Sequence, residues 1–171
     1  MIKLSLFKPV VFVALFAFHL GCTDDGSETI DQTSSTSSDL TQLYEFQSDL
    51  NHRCMDVLGL NLDNGAHVGM WDCWGGANQR WYWNGEEIRS LLNNKCLDVL
   101  GIDPNNGAHV GVWDCWGGPN QQWYWDGTQI RSRLNDKCLD VLGIDPNNGA
   151  HLGMWDCWGG ANQQWYSPSV L

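Results

Sequence analysis

The chain has 171 residues, about 43% of them apolar, with eleven Trp, nine basic and twenty acidic residues, and a net charge of −11. That length allows one ordinary domain with a modest core. The acidic balance argues against nucleic acid or polyanionic glycans as partners, because a like-charged surface repels them, and a neutral ligand fits better.

At the N-terminus, Lys3 and Lys8 precede an apolar run from Val10 to Phe18. The run is too short to span a bilayer but suits the hydrophobic region of a secretory signal, so residues 1–21 are expected to be a signal peptide. Leu20-Gly21-Cys22 is similar to a bacterial lipobox, in which the cysteine is lipidated and becomes the mature N-terminus; His19 departs from that pattern, where Leu is usual. The expectation is a lipoprotein of the bacterial cell envelope that meets the membrane only through Cys22. An ordinary secreted chain with an unpaired thiol is the alternative. Either route places the remaining cysteines in an oxidising compartment. Residues 22–40 are rich in Ser, Thr and Asp and nearly free of apolar side chains, so they read as a flexible tether. Removing residues 1–21 takes away Lys3 and Lys8 and no acid, which leaves seven basic residues against twenty acidic ones, a net charge of −13.

The rest of the chain, 41–171, is one unit of about 42 residues written three times, over 41–82, 83–124 and 125–166. Each copy opens on a Cys-x-Asp (Cys54 to Asp56, Cys96 to Asp98, Cys138 to Asp140), carries Trp-Asp-Cys-Trp-Gly-Gly in its middle and ends on Gln-x-Trp. From Asn93 to Tyr124 and Asn135 to Tyr166 the second and third copies differ at only four positions: Asn94/Asp136, Val110/Leu152, Val112/Met154 and Pro119/Ala161. A fixed period of this kind means one small supersecondary unit built three times. Within the second copy, strand patterns fall at Ile88–Leu92, Lys95–Val99, His109–Trp113 and Gln121–Trp125, separated by Asn-Gly and Gly-Gly turn signals. Four strands in each of three copies predict about twelve, in an all-β protein.

The CLDV start, the G-x-x-V-x-x-W-D-C strand and the N-Q-x-W end resemble the ricin B-type lectin domain, also classed as carbohydrate-binding module family 13, over Thr41 to Tyr166. One Q-x-W would be weak evidence; three at constant spacing beside recurring cysteines are specific. The resemblance implies a β-trefoil with pseudo-threefold symmetry, a six-stranded barrel capped by three hairpins. Six cysteines allow fifteen connectivities. The shortest pattern that treats the copies alike joins Cys54 to Cys73, Cys96 to Cys115 and Cys138 to Cys157, and family bridges lie within a repeat in this way.

Strand alternation puts Val110 and Val112 on one face and His109, Gly111 and Trp113 on the other. With the valines in the core, Trp113 points outward as a flat platform beside a gap at Gly111. The resemblance implies that the Asp after CL and the Asn before Q-x-W bind sugar. Asp98 then accepts from vicinal hydroxyls, Trp113 stacks on the ring, Asn120 fixes one hydroxyl, and Gln121 supports either Asp98 or the sugar. The matching sets are Asp56, Trp71, Asn78 and Gln79, and Asp140, Trp155, Asn162 and Gln163. Some lectins of this family use a Gln side chain where this chain has Gly69, Gly111 and Gly153. His67, His109 and His151 are candidates for the missing sugar contact, or else they cap the strand at each pocket rim.

Other repeated residues receive plainer readings. Trp81, Trp123 and Trp165 are expected in the core, Trp83 and Trp125 in support. Trp74, Trp116 and Trp158 either form a second pocket wall or pack on the disulfide. Asp72, Asp114 and Asp156 read as turn-stabilising, and Asp103-Pro104-Asn105-Asn106-Gly107 as a plain turn rather than a calcium loop. No CxxC or HxxxH spacing occurs, so neither a metal nor another cofactor is expected. Each copy offers one pocket acid where glycoside hydrolysis needs two, so the expected activity is binding of galactose-, xylose- or mannose-type glycans rather than catalysis. A trefoil that contacts proteins, as an adhesin or inhibitor, is the other class left open.

Overall fold

The computed structural model describes residues 42–170. The expected signal peptide, Cys22 and the tether lie outside the described residues.

The described chain is a run of short antiparallel strands joined by turns and single-turn 3₁₀ helices. The first copy contributes β1 (Leu43–Tyr44), β2 (Gln47–Ser48), β3 (Cys54–Val57) and β4 (Ala66–Trp71). Across the junction into the second copy runs β5 (Trp81–Asn84), followed by β6 (Glu87–Ser90), β7 (Cys96–Val99) and β8 (Val110–Trp113), and across the next runs β9 (Trp123–Asp126), followed by β10 (Gln129–Ser132), β11 (Cys138–Val141) and β12 (Leu152–Trp155). Two more follow, β13 (Trp165–Tyr166) and β14 (Ser169–Val170). The twelve expected strands correspond to β2 to β13, and β1 and β14 are additional. The two ends of the domain close the ring, since β13 pairs with β2 and β14 with β1. Three equivalent four-stranded units result, β13-β2-β3-β4, β5-β6-β7-β8 and β9-β10-β11-β12, so the first unit is assembled from both ends of the domain.

Element boundaries differ from expectation by one or two residues at several ends, as where Leu91 and Leu92 lie in a turn after β6, and most consequentially at one recurrent place. Gln121 was expected to open a strand, yet Pro119–Gln121 forms a 3₁₀ turn and β9 starts at Trp123. The turn is what lifts Asn120 and Gln121 out of the ladder and turns them inward, where both are buried.

Alternation holds where the core is made. Val110, Val112, Leu97 and Val99 are fully buried, as are their counterparts in the other copies. Trp81, Trp123 and Trp165 sit in the same core, and each indole N–H donates to a backbone carbonyl of Met55, Leu97 or Leu139 at 2.9–3.0 Å. A buried Trp without that acceptor would leave a donor unsatisfied. Trp83 and Trp125 pack against this core around the fully buried Phe46, with ring centroids 6.4 and 6.1 Å from it. The disulfides are Cys54–Cys73, Cys96–Cys115 and Cys138–Cys157, the pairing expected within each copy.

Strands β4, β8 and β12 meet around the pseudo-threefold axis through a cyclic set of backbone pairs: His67 with Gly111, His109 with Gly153, and His151 with Gly69. This explains the glycines. A methyl group at Gly111 would lie 2.6 Å from the Ala66 carbonyl oxygen and 3.0 Å from the Leu100 side chain, and Gly69 and Gly153 face the same contacts with Ala150 and Leu58, and with Ala108 and Leu142. The space expected to be an open gap beside the indole is therefore filled by a leucine and the neighbouring copy's backbone. A glutamine side chain has no room there.

Candidate functional site

Each copy brings its pocket residues together at one end of its central hairpin. In the second copy the register sets Cys96 opposite Trp113 and Asp98 opposite Gly111, with Leu97 and Val99 turned to the core. Cys96 and Asp98 share the outer face, so the disulfide and the carboxylate flank the same strand end. The first and third copies repeat this register.

The carboxylates are buried, with only 3% of Asp56, Asp98 and Asp140 accessible. Burial raises all three carboxyls above their ordinary value, and hydrogen bonds from Gln79, Gln121 and Gln163 offset part of that rise. Each glutamine is fully buried and uses every polar atom it has. Gln121 Nε2 donates to Asp98 Oδ2 at 2.7 Å and to the Asp114 carbonyl at 3.0 Å, while its Oε1 accepts from the Trp116 and Gly117 amides at 2.9 and 3.3 Å. Gln79 and Gln163 repeat all four bonds. These glutamines have no capacity left for a sugar. The structure places them as supports that fix the carboxylate and the turn bearing the second tryptophan, which decides between the two roles the sequence left open.

The asparagines differ in this respect. Asn78 and Asn162 donate to Asp56 Oδ2 and Asp140 Oδ2 at 2.8 Å, and Asn120 and Asn162 also reach the Val99 and Val141 carbonyls at 3.5 Å. In all three the side-chain oxygen has no hydrogen-bond partner. An unpaired buried acceptor is costly, and the same atom is left unpaired in every copy. The amide bonds from Asn and Gln go to Asp Oδ2, so neither engages Oδ1.

Above these polar groups stand apolar walls. The first cleft, of about 300 Å³, is lined by Asp56, Gly59, Leu60, Trp71, Trp74 and Asn78. In the third, of about 260 Å³, Asp140, Gly143, Ile144, Trp155, Trp158 and Asn162 stand in the same places. Such volumes are at the lower end for small-molecule sites. Trp71, Trp113 and Trp155 are each more than 40% exposed, which is uncommon for indoles that have a core available.

The chain matches, over residues 42–165, the family described as the ricin-type beta-trefoil lectin domain. The chain belongs to this lectin family. Among solved structures it is similar to the designed threefold-symmetric protein ThreeFoil, at 28% identity and a TM-score of 0.71 over 75% of this chain and 99% of that one. It also resembles the C-half of the earthworm R-type lectin in complex with GalNAc, at 27% identity and a TM-score of 0.67 over 75% and 99%. A third similar structure is the β-trefoil lectin of the Vibrio vulnificus hemolysin/cytolysin with N-acetyl-D-lactosamine bound, at 28% identity and 0.63 over 77% and 97%.

Three features of this ricin-type lectin resolve, extend or correct what the sequence implied. First, Trp74 and Trp158 line the clefts, the second-wall role that was one of the two the sequence left open. Second, the rim residues Leu60, Ile102 and Ile144 were missed. They hold left-handed backbone, with φ of 54 to 55°, and are about half exposed. That conformation is unfavourable for a β-branched side chain and tends to be kept at functional sites. The signal was present as an apolar residue repeated in a polar turn, Leu-Gly-Leu or Leu-Gly-Ile after each Val. Third, His67, His109 and His151 do not reach separate clefts. Their rings converge on one another, with centroids 4.8 to 5.4 Å apart, because the cyclic strand pairing brings that position of every copy to the axis. The expected sugar contact from histidine is corrected accordingly.

Asp72, Asp114 and Asp156 do more than stabilise their own turns. Asn64 of the first copy accepts from the Asp114 amide at 2.9 Å and donates to its carboxylate at 2.8 Å, and Lys95 pairs with the same carboxylate at 2.5 Å. Asn106 and Lys137 hold Asp156, and Asn148 and Arg53 hold Asp72. Hydrogen bonds and cations thus keep these acids below the ordinary carboxylate range, led by Asn148 for Asp72 and by the lysines for the others. The adjacent glycines Gly65, Gly107 and Gly149 lie against Trp113, Trp155 and Trp71, so each exposed indole is braced by another copy's turn.

Proposed function

We propose that the protein is a non-catalytic sugar-binding lectin with three similar clefts, exported and held at the bacterial cell surface by a lipid on Cys22. The observation that carries this reading is the threefold recurrence of a buried carboxylate beside an asparagine oxygen without a partner, under two exposed indoles. In each cleft Asp Oδ1 and Asn Oδ1 accept from neighbouring hydroxyls of a pyranose, and Trp71, Trp113 or Trp155 covers its C–H face. Among the described residues the lining of the first and third clefts contains one carboxylate, so an acid–base pair for glycoside cleavage lacks its second member.

The ligand class is a neutral galactose-, xylose- or mannose-type glycan. The GalNAc and N-acetyl-D-lactosamine held by two of the similar lectins favour the galactose type. One shallow cleft binds at about millimolar to tens of micromolar, because few polar contacts offset the ordering costs. A polymer that reaches two clefts gains roughly a hundredfold through effective concentration. The test is a glycan array on the purified, disulfide-intact protein, repeated with free monosaccharide as competitor. Sugar-competed binding to one neutral glycan series is the expected outcome. A protein ligand indifferent to free sugar, or sugar release from the array, would overturn the reading. Incorporation of a clickable fatty acid that is lost in Cys22→Ala tests the anchor.

A further inference from the structure

The three axial histidines take no part in the clefts, and the fold does not need imidazole where they stand. His67 and His109 are exposed, and the pairing with the facing glycines is made by backbone alone. Nevertheless the same side chain recurs in every copy, and one nitrogen from each ring lies within 4.8 Å of the other two. We propose that His67, His109 and His151 together bind a single divalent late transition-metal ion, of which Zn²⁺ is the representative, on the pseudo-threefold axis.

Neutral imidazole is a good ligand for Zn²⁺, Ni²⁺ and Cu²⁺. At a Zn–N distance of about 2.0–2.1 Å, tetrahedral coordination sets the nitrogens about 3.3 Å apart. Starting from 4.8 Å, each nitrogen moves at most about 0.9 Å toward the centre, a distance that side-chain rotation supplies without moving the strands. Three protein ligands leave the fourth position for water or an external donor. The ligands come one from each copy, so they meet only after the ring has closed, and the ion binds the folded chain and not the unfolded one. Motif spacing does not reveal such a site, because its ligands are about 42 residues apart in sequence and joined only by symmetry.

The test is calorimetric titration of the chelator-stripped, disulfide-intact protein with ZnCl₂, together with melting curves. One equivalent per chain is expected, with a rise in Tm, an affinity at least tenfold weaker in His109→Ala, and no such equivalent in the triple His67→Ala/His109→Ala/His151→Ala variant. Binding of three equivalents would mean separate sites. An unchanged affinity in the triple variant would assign the ion to surface carboxylates. Either result overturns the proposal. If the triple variant does not fold, ring ¹⁵N resonances of the wild-type protein decide: three histidines shifting together at one equivalent support the site, and unmoved resonances refute it.

Discussion

Replacing Gln121 with Met separates a residue that touches sugar from one that holds the site in shape. Met has nearly the volume of Gln, so the packing term stays small. Four hydrogen bonds disappear, however: two from Nε2 to Asp98 and the Asp114 carbonyl, and two to Oε1 from Trp116 and Gly117. The bond to the buried carboxylate contributes about 1.5–3 kcal/mol, and the others about 0.5–1.5 kcal/mol each before water reaches the outer amides. A net loss of about 3–5 kcal/mol follows, roughly 10–15 °C in Tm for a domain of this size. Asp98 also loses the largest of the interactions that oppose its burial, so its carboxyl rises further. The second cleft should then fail while the first and third persist, and titration with monosaccharide should give two sites where the wild type gives three. Differential scanning calorimetry and isothermal titration read both effects. A Tm within about 3 °C of wild type together with three sites of unchanged affinity would refute the assignment of Gln121 as a support.

Other expectations follow from the same geometry. Removing one bridge as Cys96→Ala/Cys115→Ala opens a loop closed by cysteines 19 residues apart, which should cost about 3 kcal/mol, and the equivalent pairs in the other copies should cost the same by denaturant titration. Sugar affinity should fall on acidification with a midpoint above 3.8, since Asp56, Asp98 and Asp140 are raised by burial and bind as carboxylates. Stability has the opposite sign. Between the unfolded and the raised folded values the folded chain holds the extra protons, so stability declines as pH rises through that window, and Asp→Asn changes at all three positions should flatten the slope in melting curves. Trp113→Ala should reduce binding to a polymer far more than total binding of monosaccharide; equal losses would argue against multivalent capture. Gly111→Ala should destabilise strongly in chemical denaturation, because its methyl group meets fixed backbone at 2.6 Å.

The features legible in the sequence were those set by a period or an alternation. The 42-residue recurrence led to the trefoil, strand parity separated Val110 and Val112 from Trp113, and copy symmetry paired the cysteines. What escaped depends on how copies meet, which no single copy encodes. Gly111 read as a gap because the intruding Ala66 carbonyl belongs to another repeat. Asp114 read as local because its partner Asn64 lies fifty residues away. Ile102 drew no notice because the sign of φ leaves no mark on composition. The histidines were referred to three pockets when the closed ring gives them one meeting point.

The braces between copies all point the same way around the ring. The Asn-Gly turn of the first copy supports the platform of the second, that of the second supports the third, and that of the third returns to the first. Damage therefore travels with a handedness: a lesion at Asn64 should be felt at Trp113 while the cleft of its own repeat stays whole. The smallest piece able to bind is then not one repeat but a repeat together with its predecessor. Because the ring has no first member, a circular permutant opened at any of the three junctions should keep every site, whereas a chain cut to two repeats should leave one platform without its brace.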